Sequence, residues 1–246
     1  MDRMIYTAMT GAKHIMEKQA TTSHNLANAT TTGFRAQLDT FRAVPVQGAD
    51  LPTRAFVVDS TVGADFRSGV IQQTGRELDV AVQGQGWIAV QLEDGSEAYT
   101  RNGSLKLSEN GILQTQSGQN VMGDGGPISV PPDVALAIAK DGTVSAVSTA
   151  TKPAINTVLG RIKLVNPEQA EMVRGDDGLF RLRNGEPADA AENVNLIGSA
   201  LEGSNVNVVD EMVNMISLAR QFEMHMNLLK NAENNANKAS QILALG

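Results

Sequence analysis

Apolar and small side chains recur at alternating spacings of three and four along residues 2–30. The stripe consists of Ile5, Ala8, Ala12, Ile15, Gln19, Thr22 and Leu26. These spacings follow the turns of an α-helix and approach a heptad repeat, and no proline interrupts them. The pattern predicts an N-terminal helix that buries one narrow face.

Residues 207–244 show the same alternation more strongly. Its members are Val209, Met212, Ile216, Ala219, Phe222, Met226, Leu229, Ala232, Ala236, Ala239 and Leu243. Ser204 or Asn207 can cap the first turn, and Asp210 and Glu211 suit the positive end of the helix dipole. The pattern predicts a second, longer helix at the C-terminal end.

The chain between these helices has a different pattern, with β-rich runs of four to six residues. The runs are LDVAV, WIAVQL, AYTR, LKLS, ILQT, VALAIA, TVSAV, RIKLV and LFRL. Turn-forming dipeptides lie between them at Asp94-Gly95, Asn110-Gly111, Asp141-Gly142 and Asp177-Gly178. We therefore expect a mainly antiparallel, all-β middle domain over residues 60–200, after an irregular or extended connector over residues 31–59.

The expected fold class is α+β, with four segments: residues 1–30, 31–59, 60–200 and 201–246. Neither helix can bury its stripe alone, because isolated helices are marginal in water. The two helices could pair within one chain and pack on the β-domain. Alternatively they could form a coiled-coil-like bundle between subunits, where alanines allow close approach and methionines adapt to unlike neighbours. The pattern alone leaves both open.

Composition limits the classes of partner that we expect this chain to bind. The net charge is −7, and the 20 basic residues are scattered, so a nucleic-acid partner is not expected. The absence of cysteine excludes disulfides and thiolate chemistry. No apolar run is long enough for a membrane-spanning helix, and the N-terminal residues lack the apolar core of a cleaved signal peptide.

Catalytic signatures are also missing from the sequence. His14, His24 and His225 are not spaced as metal ligands, and no G-x-S-x-G motif occurs. The glycines of GQGWIAV lead into a strand, whereas a dinucleotide fingerprint opens a helix. We therefore expect no enzymatic activity, cofactor or metal. A secreted β-domain enzyme acting on carbohydrate is the alternative from another class, although no carboxylate pair is singled out.

Four ordered motifs carry a family resemblance over essentially the whole chain. They are SHNLANATTTGF (23–34), GRELDVAVQGQGWIAV (75–90), YTRNGSLKLSENGILQTQSGQNVMG (99–123) and LEGSNVNVVDEMVNMISLARQFEMHMN (201–227). Together they resemble the bacterial flagellar rod and hook axial proteins. MDRMIYTAMTGA, GFRAQLDTFRAVPVQG, LPTRAFVVDST and RGDDGLFRL look most like the proximal-rod type, and the compact middle is unlike the hook subunit. His24, Trp87, Phe222 and Asn227 depart conservatively from the family pattern.

The resemblance implies a structural subunit of the proximal rod, the drive shaft of the flagellar basal body in the periplasm. Such proteins are exported unfolded by the flagellar type III apparatus without a cleaved signal. Their termini become helices on assembly and line a tube, while the β-domain packs outside. The implied partners are other proximal and distal rod subunits, further copies of this chain and the export apparatus, without membrane insertion. A distal-rod paralogue is the alternative within the family.

The resemblance also implies a set of subunit-interface residues. With Ile5 from the first stripe, the set is Asn25, Leu26, Asn28, Gly33, Phe34, Leu201, Glu202, Ser204, Asn205, Val206, Met212, Ile216, Arg220, Phe222 and Glu223. We expect Gly33 to reverse the chain after a helix end near Ala29 and Phe34 to fill an apolar site on a neighbour. Asn25 and Asn28 are expected to bond freed carbonyls or a neighbour's backbone. A plain cap within one subunit, and a solvated Arg220–Glu223 pair, are the alternatives.

Overall fold

A computed structural model describes residues 2–45, 55–132, 134–148 and 156–244. The chain divides into two compact units. The helical unit comprises Met1–Ala29, Gln37–Gly63 and Val206–Gly246, and the β unit comprises Thr30–Ala36 and Ala64–Asn205. Two terminal helices and a mainly antiparallel β middle make the chain an α+β protein, as the sequence predicts.

The two predicted helices are present. Helix α1 spans Asp2–Ala27 and helix α2 spans Val208–Ala244. Of the two candidate caps for α2, Asn207 performs the role, because its side-chain oxygen accepts a hydrogen bond from the Val209 N–H at 3.0 Å. Asn207 is therefore the N-cap residue, and α2 begins at the next residue, Val208.

The strands are short, as the turn spacing predicts. In chain order they are β1 Gln37–Pro45, β2 Ala55–Ala64, β3 Ile71–Gln73, β4 Val80–Gln83, β5 Trp87–Gln91, β6 Glu97–Thr100, β7 Leu105–Leu107, β8 Leu113–Thr115, β9 Asn120–Gly123, β10 Gly126–Pro127, β11 Val134–Ile138, β12 Thr143–Ser148, β13 Asn156–Arg161, β14 Leu164–Val165, β15 Met172–Arg174, β16 Phe180–Leu182, β17 Asn195–Gly198 and β18 Ala200–Glu202. A 3₁₀ turn spans Gln169–Glu171.

In the helical unit, α1 and α2 run antiparallel against each other. Asn25 near the end of α1 bonds to Glu211 at the start of α2, while Gly11 lies against His225 further along α2. A Cβ on Gly11 would come within 2.5 Å of the His225 ring, so the missing side chain allows the close approach. The two helices therefore pair with each other within one chain.

The stripe predicted on α1 faces the partner helix. Ala8, Ala12, Ile15 and Thr22 are buried, and Ile5, Gln19 and Leu26 are half-buried. The stripe predicted on α2 is wrong at five positions, because Val209, Met212, Ile216, Ala219 and Met226 are exposed. The predicted members Ala239 and Leu243 lie outside the side chains that the structure describes. Among the described side chains of α2, those that are buried or half-buried are Glu211, Met215, Leu218, Phe222, His225, Leu229, Ala232 and Ala236.

The β unit is built on one nine-stranded sheet in which β15, β16, β6, β5, β9, β8 and β7 lie side by side, with β10 beside β9 and β14 beside β5. Strands β11, β12 and β13 form a second sheet, and two further pairs join β17 to β4 and β18 to β3. Each of the four predicted dipeptide turns joins two antiparallel neighbours: β5–β6, β7–β8, β11–β12 and β15–β16.

Strand β5 lies at the centre because both of its faces are buried. Ile88 and Val90 belong to one apolar cluster, and Trp87 and Ala89 belong to a second one. Alternate residues of a strand point to opposite faces, so one continuous apolar run serves two cores. The second cluster also contains Tyr99, whose hydroxyl oxygen accepts a hydrogen bond from the Ala188 N–H at 2.7 Å.

The residues expected to form a connector contain β1 and β2, which pair with each other. Residues 46–54 of that segment lie outside the described residues. Both strands belong almost entirely to the helical unit.

Burial of Tyr99 predicts a loss of stability in alkali. Desolvation raises the pKa of its phenol to about 12, with the Ala188 bond opposing the rise. The protonated phenol is thus favoured in the folded state, so this contribution is complete below pH of about 10 and is lost as the pH rises towards 12. In a Tyr6→Phe background, which leaves Tyr99 as the last tyrosine, we expect tyrosinate absorbance to appear close to pH 12. Titration near pH 10 in the folded protein would contradict a buried phenol.

Candidate subunit interface

Two chain segments of the β unit, residues 33–36 and 202–205, lie side by side; we call them the paired segments. The Gly33 N–H donates to the Glu202 carbonyl at 2.7 Å, and the Asn205 N–H donates to the Phe34 carbonyl at 3.4 Å. The Asn205 side chain accepts from the Ala36 N–H at 2.8 Å. The family motifs around Phe34 and Asn205, far apart in sequence, therefore meet in one place.

Asn205 joins the paired segments to the chain before β3. Its amide group donates to the carbonyls of Asp65 at 2.8 Å and Arg67 at 3.0 Å. With the bond accepted from Ala36, one side chain satisfies three backbone groups. A side chain with both a donor and an acceptor is needed here, which explains why an asparagine stands in the motif.

Gly33 turns the chain in a conformation that side chains rarely adopt. Its φ is +69°, and a Cβ built on it would lie 2.4 Å from the backbone carbon of Arg101. Helix α1 ends at Ala27, so the reversal comes six residues beyond the helix end rather than as its immediate cap. Gly33 therefore provides both the expected turn and a close backbone contact.

Phe34 is buried within its own chain. Its side chain is 6% exposed, and the Arg174 guanidinium lies 4.5 Å from the centre of its ring. Arg174 also donates to the Arg35 carbonyl at 3.0 Å, which keeps the guanidinium over the ring. The expectation that Phe34 fills an apolar site on a neighbour is corrected, because the single chain already covers the ring.

The Glu202 carboxylate is the centre of the paired segments. It accepts hydrogen bonds from Arg35 at 2.7 Å, from the Gly69 N–H at 2.8 Å and from Arg101 at 3.0 Å. The side chains of Glu202 and Arg35 are fully buried, and that of Arg101 is 3% exposed. A charge-assisted network of this kind is strong because little water competes with it.

The same cluster holds more positive than negative charge. Burial lowers the pKa of Arg101, and Arg35 lowers it further, while Glu202 acts in the opposite direction. Arg35 and Arg101 also lie 5.9 and 5.4 Å from the centre of the Trp87 ring. The aromatic face offers a favourable surface to both cations.

In the helical unit, the Asn25 side chain forms two hydrogen bonds with the backbone of Gln37, the first residue of β1. Its side-chain oxygen accepts from the Gln37 N–H at 2.8 Å, and its amide donates to the Gln37 carbonyl at 3.0 Å. Asn28 donates to the His24 carbonyl at 2.9 Å, one turn earlier in the chain. Both asparagines thus bond backbone groups of their own chain, as in the alternative of a plain intrachain cap.

Helix α2 exposes apolar side chains on the face turned away from α1. This outer apolar face consists of Val209, Met212, Val213, Ile216 and Met224, which are 50–66% exposed. Ile216 and the buried Leu218 are two residues apart, which separates their side chains by about 200° around the helix. Arg220 and Glu223 are exposed on the same helix, and Arg220 lines a shallow 370 Å³ depression together with Val213 and Ile216.

The remaining predicted interface residues are partly covered in the single chain. Leu26, Leu201, Ser204, Val206 and Phe222 are half-buried. The predicted set therefore separates into a buried intrachain group around Glu202 and an exposed group on α2. Sequence reasoning missed Arg35, Arg101 and Arg174, because the β unit contains eight arginines and no local pattern distinguishes the buried ones.

Replacing Gly33 by alanine tests the close contact as well as the backbone turn. Gly75 has a similar φ of +74° but no atom within 4 Å of its would-be Cβ, so Gly75→Ala is the matched control. We expect Gly75→Ala to lower the free energy of unfolding by about 1–2 kcal/mol through backbone strain. Gly33→Ala should cost clearly more in urea denaturation, and equal losses would rule out the clash.

Removing the charge of Glu202 should leave two buried guanidinium groups without their carboxylate. We expect Glu202→Gln to lower the free energy of unfolding by about 3–5 kcal/mol, as for other broken buried pairs. Arg67→Gln breaks an ion pair with Asp65 whose arginine is 86% exposed, and it should cost clearly less because solvent screens the pair. A Glu202→Gln protein as stable as Arg67→Gln in urea would contradict the central role of this carboxylate.

Comparison with known proteins identifies the family of the chain. Three family models match: "Flagella basal body rod protein" over residues 5–35, "Flagellar hook protein FlgE/F/G D1 domain" over residues 81–146, and "Flagellar basal body rod FlgEFG protein C-terminal" over residues 193–242. Within the described residues, neither helix is both long and apolar enough to cross a membrane.

Several curated relatives match along their full length. The flagellar basal-body rod protein FlgF of Escherichia coli is 47% identical, and that of Salmonella typhimurium is 46% identical; each match covers 100% of both chains. The rod protein FlgG of Buchnera aphidicola is 31% identical over 89% of this chain and 92% of its own. The chain therefore belongs to the flagellar basal-body rod protein family, and within it to the FlgF type.

Proposed function

We propose that this chain is a structural subunit of the proximal rod, the drive shaft of the flagellar basal body. Copies of the chain and other rod subunits would associate through their terminal helices into a helical tube. The tube would transmit torque and enclose the export channel. The outer apolar face of α2 is the single observation that carries this proposal.

The outer apolar face needs a cover that the described residues of the chain do not supply. Its five large apolar side chains are exposed while the opposite face of α2 already packs on α1. Exposed apolar surface of this kind favours association, and methionines adapt to neighbours of different shape. Contacts that repeat without closing generate a helical tube rather than a ring.

The interface role proposed for each residue follows from its exposure. Met212, Ile216, Arg220 and Glu223 would contact neighbouring helices directly, and Ile5, Leu26 and Phe222 would do so at the borders of the intrachain pair. Asn25, Asn28, Gly33, Phe34, Leu201, Glu202, Ser204, Asn205 and Val206 would hold the segments from which the helices emerge. The buried residues would therefore affect the interface by fixing the local shape of the chain, and they would not contact a neighbouring subunit themselves.

We further propose that the chain reaches the periplasmic rod through the flagellar type III apparatus, without a cleaved signal peptide. The terminal helices would become ordered as the outer face is covered, because ordering costs entropy that burial offsets. The 47% and 46% identity to the FlgF proteins of Escherichia coli and Salmonella typhimurium, against 31% to the FlgG protein of Buchnera aphidicola, favours the proximal-rod type over a distal-rod paralogue. The curated relatives carry the names of rod proteins, which argues against the carbohydrate-active alternative.

A charge on the outer apolar face should block assembly without unfolding the chain. Ile216→Asp places a carboxylate where we expect an apolar contact, whereas Asn235→Asp places the same charge at an exposed position on the flank of α2. In a strain that lacks the native protein, we expect Ile216→Asp to abolish swimming and Asn235→Asp to preserve it. Circular dichroism of the purified variants should be alike, and a motile strain carrying Ile216→Asp would overturn the proposed interface.

A further inference from the structure

A cavity of about 340 Å³ opens in the β unit beside the Arg35–Glu202–Arg101 cluster. Phe66 and Trp87 form its apolar wall, and Gln85, Asn166 and Gln169 supply amide groups. Arg101 contributes the cationic part of the lining. The cavity therefore combines an aromatic wall, several hydrogen-bonding groups and one guanidinium.

The cluster behind this cavity is not electrically balanced. Arg35 and Arg101 share one carboxylate, that of Glu202. Arg174, which is half-buried near Phe34, adds a further positive charge, and burial lowers the pKa of its guanidinium. The nearby carboxylate of Asp65 already pairs with Arg67 at 2.5 Å. Buried charge without a partner is costly, so the site favours an additional anion.

The hydrogen-bond inventory agrees with the charge balance. Within the described residues, Nε of Arg101 has no hydrogen-bond partner, and neither have Nε and Nη1 of Arg35. Nη1 of Arg101 donates to Glu202 and to the Val82 carbonyl, and Nη2 donates to the Gly84 carbonyl. One of the two N–H groups of Nη2 is therefore left without a bond among the described residues. The Trp87 ring reduces the free-energy cost of burying the guanidinium groups but contributes no net negative charge.

The cavity wall includes a single acidic residue. Glu168 is exposed and forms no ion pair with either arginine in the part of the chain that the structure describes. The amides of Gln85, Asn166 and Gln169 can donate to or accept from peptide groups that flank a bound acid. One cation surrounded by amides and aromatic rings suits one carboxylate on a short polar segment.

We propose that this cavity binds a carboxylate group, with Arg101 as its cationic recognition residue. The site is distinct from the outer apolar face of α2 and does not depend on rod assembly. Its ligand chemistry is that of a glutamate or aspartate side chain, or of a free carboxylic acid of similar size. Aromatic contact with Trp87 would shield the ion pair from water and strengthen it.

Trp87 makes the test direct, because it is the one tryptophan of the chain and lies in the cavity wall. The full-length protein in dilute solution is titrated with a capped tripeptide whose central residue is glutamate, at neutral pH and constant ionic strength. The matched peptide has glutamine in the centre. We expect a saturable change of tryptophan fluorescence with the glutamate peptide and none with the glutamine peptide.

A parallel titration with acetate identifies the source of the carboxylate. Tighter binding of the glutamate peptide supports an acidic side chain of a protein, and equal affinity supports a free acid. Equal responses to the glutamate and glutamine peptides overturn the proposal. Reproduction of the signal by sodium chloride also overturns it, because the site then lacks preference for a carboxylate.

An isosteric substitution supplies a competing carboxylate in the cavity itself. Gln85 is exposed, so Gln85→Glu should fold and should weaken binding of the glutamate peptide by about tenfold or more. Gln73→Glu makes the same change at an exposed position of β3 and should leave the affinity unchanged. Wild-type affinity in Gln85→Glu, with thermal unfolding unchanged, would exclude this cavity as the binding site.

Discussion

The buried carboxylate of Glu202 is the interaction on which the β unit depends most. It accepts hydrogen bonds from three separate parts of the chain, at Arg35, Gly69 and Arg101. None of these donors can be left unpaired inside the protein without a large cost. The carboxylate therefore determines where β18 lies and holds residues 33–36 beside it. The turn at Gly33 and the bonds of Asn205 complete the same arrangement from the backbone side.

The helical unit obeys a different constraint, because its helices carry apolar residues on more than one face. Small residues such as Ala8 and Ala12 are buried on α1, and Gly11 allows the close approach of His225. Larger and more flexible residues such as Met212 and Ile216 remain outside. A helix with two apolar faces is suited to assembly, since it keeps one face for its own chain and one for a neighbour. This division agrees with membership of the FlgF family of rod proteins.

Elements with strong local signals were predicted well from sequence. Helix α1, helix α2 and the hairpins closed by Asp-Gly or Asn-Gly dipeptides agree with the expected positions. The predicted runs missed β1 and β2 in the expected connector and also β3, β9, β10, β13, β15, β17 and β18. Among these, IQQ, NLIG and ALE are short and carry no alternating pattern. These strands form through pairing with distant segments, and β18 is further held by the buried ion pairs of Glu202. For α2, apolar residues on opposite faces made the inward stripe ambiguous.

The sequence by itself determined the family, the α+β plan and the motifs around Gly33 and Asn205, because these depend on local periodicity and ordered motifs. Tertiary structure decided which of those residues are available to a partner. Phe34 and Glu202 are covered within the chain by Arg174, Arg35 and Arg101, whereas Ile216 is 56% exposed among the described residues. The physical reason is that burial depends on which distant segments meet. The segment SHNLANATTTGF illustrates both cases. Its asparagines and Gly33 could be recognised from local sequence, but the residue that covers Phe34, Arg174, lies 140 residues further along the chain.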